Sequence, residues 1–206
     1  MKKAAKFALI KTIPIFLGYL FLGIAFGLLL QKSGLGVFWA FLISTLVYAG
    51  SMQFALVGIL TGGLSYVTTA VMTLFINSRH AFYGLTFIER FKEMRKTYPY
   101  MVFSLTDETY SLLCSMARPS DFTDREWKAA TFFTSFFDQC YWIAGSVLGA
   151  LMGELITFDT TGIDFAMTAL FVVICVDQWK AAKTHIPAVT GFICGALFLV
   201  LIRSSN

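Results

Sequence analysis

Long apolar runs separated by short polar stretches make up most of this 206-residue chain. An apolar run of about 20 residues can cross the hydrocarbon core of a bilayer as a helix. The pattern therefore predicts an all-α polytopic membrane protein, a helix bundle forming a single transmembrane domain over residues 1–206. Six runs have this character: Phe7 to Leu30, Val37 to Leu60, Leu64 to Ile88, Ala129 to Gly153, Ile163 to Val176 and Ile186 to Ile202. A weaker seventh runs from Pro99 to Ala117.

Three polar breaks interrupt these runs. They are Tyr48 to Gln53, Asn77-Ser78-Arg79-His80 and Thr106-Asp107-Glu108. Irregular backbone at membrane depth is tolerated only inside protein or along a water-filled cavity. We therefore predict broken helices at all three places, lining one shared cavity. The order of the segments, three on either side of Thr106-Asp107-Glu108, also suggests the hypothesis of an inverted repeat.

The distribution of Lys and Arg favours one of two topologies. Cytoplasmic loops of membrane proteins carry an excess of these residues. Seven simple crossings would put the dense basic group from Arg90 to Lys96 outside, against this rule. If the chain instead enters and returns between Val37 and Ile88, and again between Pro99 and Ala117, 13 of the 16 basic residues lie inside. We therefore predict re-entrant helices and a cytoplasmic N-terminus.

Composition excludes several classes of protein. The chain is 57% hydrophobic and only 14% charged, whereas soluble domains are about 25% charged. The net charge of +4 comes from membrane-flanking clusters and gives no indication of nucleic-acid binding.

The first apolar run is too long for the core of a cleaved signal peptide, so we expect a helix that is retained. The four cysteines lie apart in apolar stretches, and we expect small buried side chains without disulfide or metal roles.

Small residues and tryptophans mark contact surfaces. Glycines recur at four-residue spacing, which places each set on one helix face and lets two backbones approach closely. The sets are Gly23 and Gly27; Gly145, Gly149 and Gly153; and Gly191 and Gly195. Tight packing within the bundle is one interpretation and a face for a partner subunit is the other. Trp127 and Trp179 lie beside basic clusters, as interfacial anchors do.

Arg79 is the most informative polar residue, because ionisable groups within membrane segments are costly and usually functional. Its planar guanidinium matches a carboxylate. It could bind a substrate or ion, or it could pair with Asp107 or Glu108. We group Ser51, Gln53, Asn77 and His80 with Arg79 as candidate substrate-binding residues. Ser51 and Gln53 could equally be hydrogen-bonding contacts between helices.

Asp107, Glu108 and Asp138 are candidates for proton coupling. Adjacent residues on a helix point about 100° apart, so Asp107 and Glu108 cannot both face one partner. One could neutralise Arg79 while the other exchanges protons. Asp138 lies inside the run Ala129 to Gly153 and is a second site for such exchange.

An enzyme is disfavoured by the same residues. An intramembrane serine protease needs a nucleophile, a base and an oxyanion site. The nearest arrangement is Ser51 with His80 or His185, and it lacks a nucleophile elbow. We expect no cofactor and no metal, because neither metal-ligand spacing nor a phosphate-binding glycine loop is present.

Four ordered motifs give the chain a family resemblance. Pro14-x-x-x-Gly18-Tyr19 with Ala25-Phe26-Gly27 comes first, followed by Tyr48-Ala49-Gly50-Ser51-Met52-Gln53-Phe54. Asn77-Ser78-Arg79-His80 with Tyr83-Gly84 and then Thr106-Asp107-Glu108 complete the set. Together they resemble the AzlC family, the large subunits of two-component branched-chain amino acid exporters, over nearly the whole chain.

The resemblance implies a function that composition does not. The substrates would be branched-chain and other hydrophobic amino acids, exported across the bacterial inner membrane. Together with the candidate proton-exchange residues, this predicts a proton-coupled secondary transporter. The partners would be the lipid bilayer and a small AzlD-type membrane subunit. The other hypothesis is a channel, or an assembly subunit of a membrane complex without its own substrate site.

Overall fold

The computed structural model describes residues 1–155 and 184–203, together with 165, 172, 175, 176, 179 and 180. The chain forms two compact units, residues 1–164 and 165–206. Throughout the described residues the regular secondary structure is helical, as the all-α prediction requires. The predicted span Ile163 to Val176 lies almost entirely outside the described residues. Lys183, one of the 13 basic residues predicted to lie inside, is outside them as well.

The helices of the first unit are α1 (Lys2–Lys32), α2 (Val37–Leu46), α3 (Gly50–Gly62), α4 (Tyr66–Lys92), α5 (Tyr98–Phe103), α6 (Asp107–Ser115) and α7 (Asp124–Leu155), with a 3₁₀ turn at Arg95–Thr97. The second unit contains α8 (Ile186–Arg203). Of the described helices, only α1 is both long and apolar enough to cross a membrane. Three apolar helical segments are shorter: α2, α3 and Ala188–Leu197 of α8.

Helices α1 and α7 pack together at the centre of the first unit, with glycines at the crossing. A Cβ atom on Gly27 would lie 2.1 Å from the backbone oxygen of Ser146, and one on Gly149 would lie 2.1 Å from that of Ile24. Only a residue without a side chain fits at such distances. Tight packing within the bundle is therefore confirmed for the glycines of α1 and α7. For Gly191 and Gly195 of α8, no atom of the described residues lies within 4 Å of the added Cβ.

The first unit buries polar side chains together with apolar ones and exposes many large apolar side chains. Gln53, Asp138 and several Ser and Thr residues are buried. Phe21, Tyr66 and Phe75, by contrast, are 73, 95 and 74% exposed. Soluble proteins bury such apolar side chains, and large exposed apolar surfaces mark contacts with lipid or with another protein. The distribution agrees with a membrane protein.

Two of the three predicted helix breaks are confirmed. Between α2 and α3, Tyr48 has a φ of +41°, in the left-handed region that ends a helix. Between α5 and α6, Thr106 is the N-cap and its side chain accepts a hydrogen bond from the Thr109 backbone N–H.

The third predicted break, at Asn77 to His80, is wrong, because α4 continues through it. The polar side chains bond back to the preceding turn instead. Ser78 donates to the Phe75 carbonyl at 2.9 Å, and the His80 ring lies 3.1 Å from the Asn77 carbonyl. Such local bonds satisfy polar groups without interrupting a helix. The expectation of buried cysteines is also wrong for Cys114, Cys175 and Cys194, which are exposed.

Two ion pairs bring distant basic segments to one end of the first unit. Lys3, near the start of α1, lies 2.9 Å from Asp121, just before α7. Lys128, in the first turns of α7, lies 3.0 Å from Glu93, which follows α4. The N-terminus, the end of α4 and the start of α7 therefore lie together, and each belongs to one of the basic clusters that the charge distribution predicts on one side.

Candidate functional site

The two confirmed breaks each expose the beginning of a helix. α3 begins at Gly50 and has Ser51 in its first turn, while α6 begins at Asp107 and carries Asp107 and Glu108 there. The first backbone N–H groups of a helix lack helical partners, and the helix dipole is positive at this end. The helix dipole of α6 therefore stabilises the carboxylates of Asp107 and Glu108 in its first turn. The first turn of α3 contains no acidic residue, so its dipole is not balanced by a carboxylate of its own helix.

Arg79 of α4 connects these two helix beginnings. Its Nη2 atom donates to the Ser51 hydroxyl at 2.9 Å and lies 2.8 Å from Asp107 Oδ2. The Arg79 and Asp107 side chains are 26 and 20% exposed, so the ion pair is largely shielded from solvent. Of the two carboxylates considered as partners of Arg79, the structure pairs Asp107. Arg79 thus holds α3, α4 and α6 at one point.

Several buried polar atoms have no hydrogen-bond partner among the described residues, and two of them belong to this ion pair. Arg79 Nε and Asp107 Oδ1 are both buried and unbonded, and so is Asn77 Oδ1. The Tyr48 hydroxyl and Ser104 Oγ, at the two breaks, are in the same condition. Buried polar groups are nearly always hydrogen-bonded, because an unpaired one costs about 1–3 kcal/mol. Unbonded atoms on both members of an ion pair are what a binding site for a small polar ligand requires.

A second polar network runs from Glu108 to Asp138. The Tyr19 hydroxyl lies 2.8 Å from Glu108 Oε2 and 2.6 Å from the Thr106 hydroxyl. The Thr106 hydroxyl lies 3.0 Å from that of Thr109, which lies 2.8 Å from Asp138 Oδ2. The network joins α1, the α6 cap and α7, and Asp138 is fully buried.

Gln53 lies in a different environment from Ser51. Its side chain is buried, donates to the Ser44 hydroxyl at 3.2 Å and accepts from the Trp142 indole at 2.9 Å. These bonds connect α2, α3 and α7, as the interpretation of Gln53 as a contact between helices predicts. His80 contacts the Asn77 carbonyl, and Ser51 contacts Arg79 rather than a histidine.

The structure thus places the candidate residues in more than one environment. Ser51 and Asp107 contact Arg79, whereas Glu108 and Asp138 belong to the hydroxyl network. Gln53 has neither set of contacts and bonds to Ser44 and Trp142. Sequence reasoning assigned no role to Tyr19 or Thr109, which complete that network. A Tyr within an apolar run is the available signal, since a buried Tyr hydroxyl usually finds a hydrogen-bond partner.

Comparisons with known proteins agree with the motifs. A family model described as AzlC protein matches residues 14–156. The branched-chain amino acid transport protein AzlC of Bacillus subtilis (strain 168) is 35% identical over 95% of this chain and 76% of its own length. An uncharacterized membrane protein of Helicobacter pylori (strain ATCC 700392 / 26695) is 36% identical over 97% of this chain and 86% of its own. Inner membrane protein YgaZ of Escherichia coli (strain K12) is 25% identical, over 94 and 80%. No solved structure is a significant match.

Proposed function

Because the chain belongs to the AzlC family, we propose that it is the large subunit of a secondary transporter that exports branched-chain amino acids across the bacterial inner membrane. The relative from Bacillus subtilis is named a branched-chain amino acid transport protein, which makes transport the starting point. The proposal adds export, proton coupling, multiple membrane crossings with a cytoplasmic N-terminus, and a small AzlD-type partner subunit.

The observation that carries the proposal is the incomplete Arg79–Asp107 ion pair. Within the part of the chain that the structure describes, Arg79 Nε is a buried donor without an acceptor, and Asp107 Oδ1 is a buried acceptor without a donor. A zwitterionic amino acid offers the complement of both, a carboxylate for the guanidinium and an ammonium for the carboxylate. The beginnings of α3 and α6 add favourable dipoles, as the broken helices of many transporters do.

Two further observations support the proposed coupling and topology. Asp107 pairs with Arg79, whereas Glu108 and Asp138 form no ion pair with any of the described residues and so can exchange protons. Three of the basic clusters lie at one end of the first unit, an arrangement that supports a common cytoplasmic side.

The proposed partner has a suitable surface on α4. Val67, Leu74, Phe75, Phe82 and Leu85 are 65–74% exposed, and their spacing places them along one helix face. An apolar stripe of this kind binds either lipid or another membrane helix. We propose that the small subunit packs here.

Counterflow in proteoliposomes tests the proposal. The chain is reconstituted with and without its partner, vesicles are loaded with unlabelled leucine, and uptake of radiolabelled leucine is followed. We expect uptake to exceed that into lysine-loaded vesicles at least tenfold, and to be lost in Arg79→Ala but retained in Arg118→Ala. Uptake that ignores the luminal amino acid would indicate a channel, and no uptake by inserted protein with its partner would favour an assembly subunit.

A further inference from the structure

The network between Glu108 and Asp138 has a proton count that can be worked out from its geometry. Four hydrogen-bond links join five groups in series: Glu108 to Tyr19, Tyr19 to Thr106, Thr106 to Thr109, and Thr109 to Asp138. Each link needs one hydrogen between its two oxygens. The three hydroxyl groups supply three hydrogens, because Tyr and Thr carry one each. One more hydrogen is needed, and it has to be bound to a carboxyl group.

With no carboxyl proton, or with two, the number of hydrogens does not match the number of links. If Glu108 and Asp138 are both ionised, Thr109 donates to Asp138, and the hydroxyls of Tyr19 and Thr106 donate away from each other, to Glu108 and to Thr109. Their 2.6 Å contact then has no hydrogen between two oxygens, which is repulsive. If both carboxyl groups are protonated, five hydrogens compete for four links, and one of them is left without an acceptor within the network.

With one carboxyl proton, two arrangements satisfy every link. Either Glu108 is protonated and donates to Tyr19, so that all donors point toward Asp138, or Asp138 is protonated and all donors point toward Glu108. Conversion breaks the carboxyl O–H bond at one end and forms one at the other. Each intervening hydroxyl gives one proton and receives one, so that Tyr19, Thr106 and Thr109 stay neutral.

We propose that Glu108 and Asp138 share a single exchangeable proton, which the hydroxyls of Tyr19, Thr106 and Thr109 conduct between α6 and α7. The shared proton site stands on this geometry alone. Its use in transport rests on the proposed function. There, the shared proton identifies Glu108 and Asp138 as the coupling groups and excludes Asp107.

Other charged and titratable groups surround the path. Asp107 precedes Glu108 and is neutralised by Arg79. From the remaining elements, Tyr48 follows α2, Tyr100 belongs to α5, and His80 and Tyr83 of α4 lie near Asp107. Tyr48 approaches Tyr19 without a well-formed hydrogen bond. None of these residues interrupts the series of links.

Infrared spectroscopy of the purified full chain with its partner tests the shared proton directly. Glu108→Gln supplies an amide donor to Tyr19, so Asp138 should then be ionised. Asp138→Asn supplies a donor to Thr109, so Glu108 should then be ionised. We expect each single variant to remove the same number of protonated carboxyl groups, one per chain, from the C=O absorption at neutral pH. A component that only one variant removes, or that neither removes, would overturn the proposal.

Transport assays test conduction along the path. Tyr19→Phe removes the hydroxyl that bonds to Glu108 and keeps the ring that packs on Trp142. Leucine efflux driven by a pH gradient should fall at least tenfold, while gradient-free leucine exchange stays within twofold. Tyr141→Phe is the matched control, since it also deletes a Tyr–Thr contact, in this case the 3.1 Å contact between Tyr141 of α7 and Thr12 of α1. Wild-type pH-driven efflux in Tyr19→Phe would overturn conduction. Absence of leucine exchange in the wild type would refute the proposed function and leave the infrared result standing.

Discussion

Arg79 makes two contacts within the protein and still has a nitrogen available for a ligand. Both of its contacts, with Ser51 and with Asp107, use the same Nη2 nitrogen. The sequence predicts a fork matched to a carboxylate, but the structure leaves Nε outside the ion pair. The positive charge that Arg79 supplies to the ion pair and the nitrogen that it offers to a ligand are therefore separable properties.

Arg79→Lys separates them. A lysine ammonium could replace the two Nη2 contacts and keep the charge, but it offers no second nitrogen at the position of Nε. We expect leucine counterflow to fall at least tenfold, with normal amounts of protein in the membrane. Arg118→Lys is the control, because Arg118 also uses several nitrogens, for the Phe122 carbonyl and Asp124, in an exposed loop. Undiminished counterflow in Arg79→Lys would remove Nε from the substrate site.

At the scale of elements, the α1–α7 contact holds the hydroxyl network in place. Tyr19 lies on α1 and Asp138 on α7, so the path between them depends on how closely these two helices approach. Gly27 and Gly149 permit that approach because their backbones touch the partner helix. Small residues have this function in many membrane bundles, where packing replaces the hydrophobic effect between helices.

Gly149→Ala tests the helix contact. The new methyl group would meet the Ile24 backbone oxygen at 2.1 Å, so the helices have to separate. Overpacking of this kind costs about 1–3 kcal/mol, and we expect a lower unfolding temperature in detergent. Gly18→Ala, on α1 with no atom within 4 Å of the new carbon, should not lower it. Equal melting of Gly149→Ala and the wild type would show that the two helices are less closely packed than described.

At the scale of the whole molecule, topology is the principal question, and the first unit offers a specific test. Its ion pairs place Lys3 and Lys128 at the same end as Glu93, beside the basic residues Arg90 to Lys96. Seven alternating crossings would separate the N-terminus from that basic group. Re-entrant segments keep them together.

Single cysteines in a cysteine-free background distinguish the two topologies. We expect Lys2→Cys and Lys92→Cys, both at exposed positions, to be protected from an impermeant maleimide in intact cells and labelled after permeabilisation. Ser33→Cys, in the turn after α1, should be labelled in intact cells. Labelling of Lys92→Cys but not Lys2→Cys in intact cells would restore seven alternating crossings.

Several features of this protein follow from its sequence alone. The apolar runs predict helices, and the motifs carry the family resemblance that the comparisons confirm. The breaks at Tyr48 and Thr106 are also predictable, since polar residues and capping groups within apolar runs act locally. The same rule fails at Asn77 to His80, because side chains that bond to the preceding turn leave α4 intact. Polarity alone does not distinguish the two cases.

Only the tertiary structure decided how the polar groups are paired. The sequence leaves open whether Arg79 meets Asp107 or Glu108, and it gives no reason to join Tyr19 to Thr106, 87 residues away. Helical periodicity places a residue on a face, but it does not choose which face of another helix lies opposite. That choice depends on the packing of α1 against α7 and on the positions of the two helix breaks. These long-range contacts bring Glu108 and Asp138 to the ends of one hydrogen-bonded path.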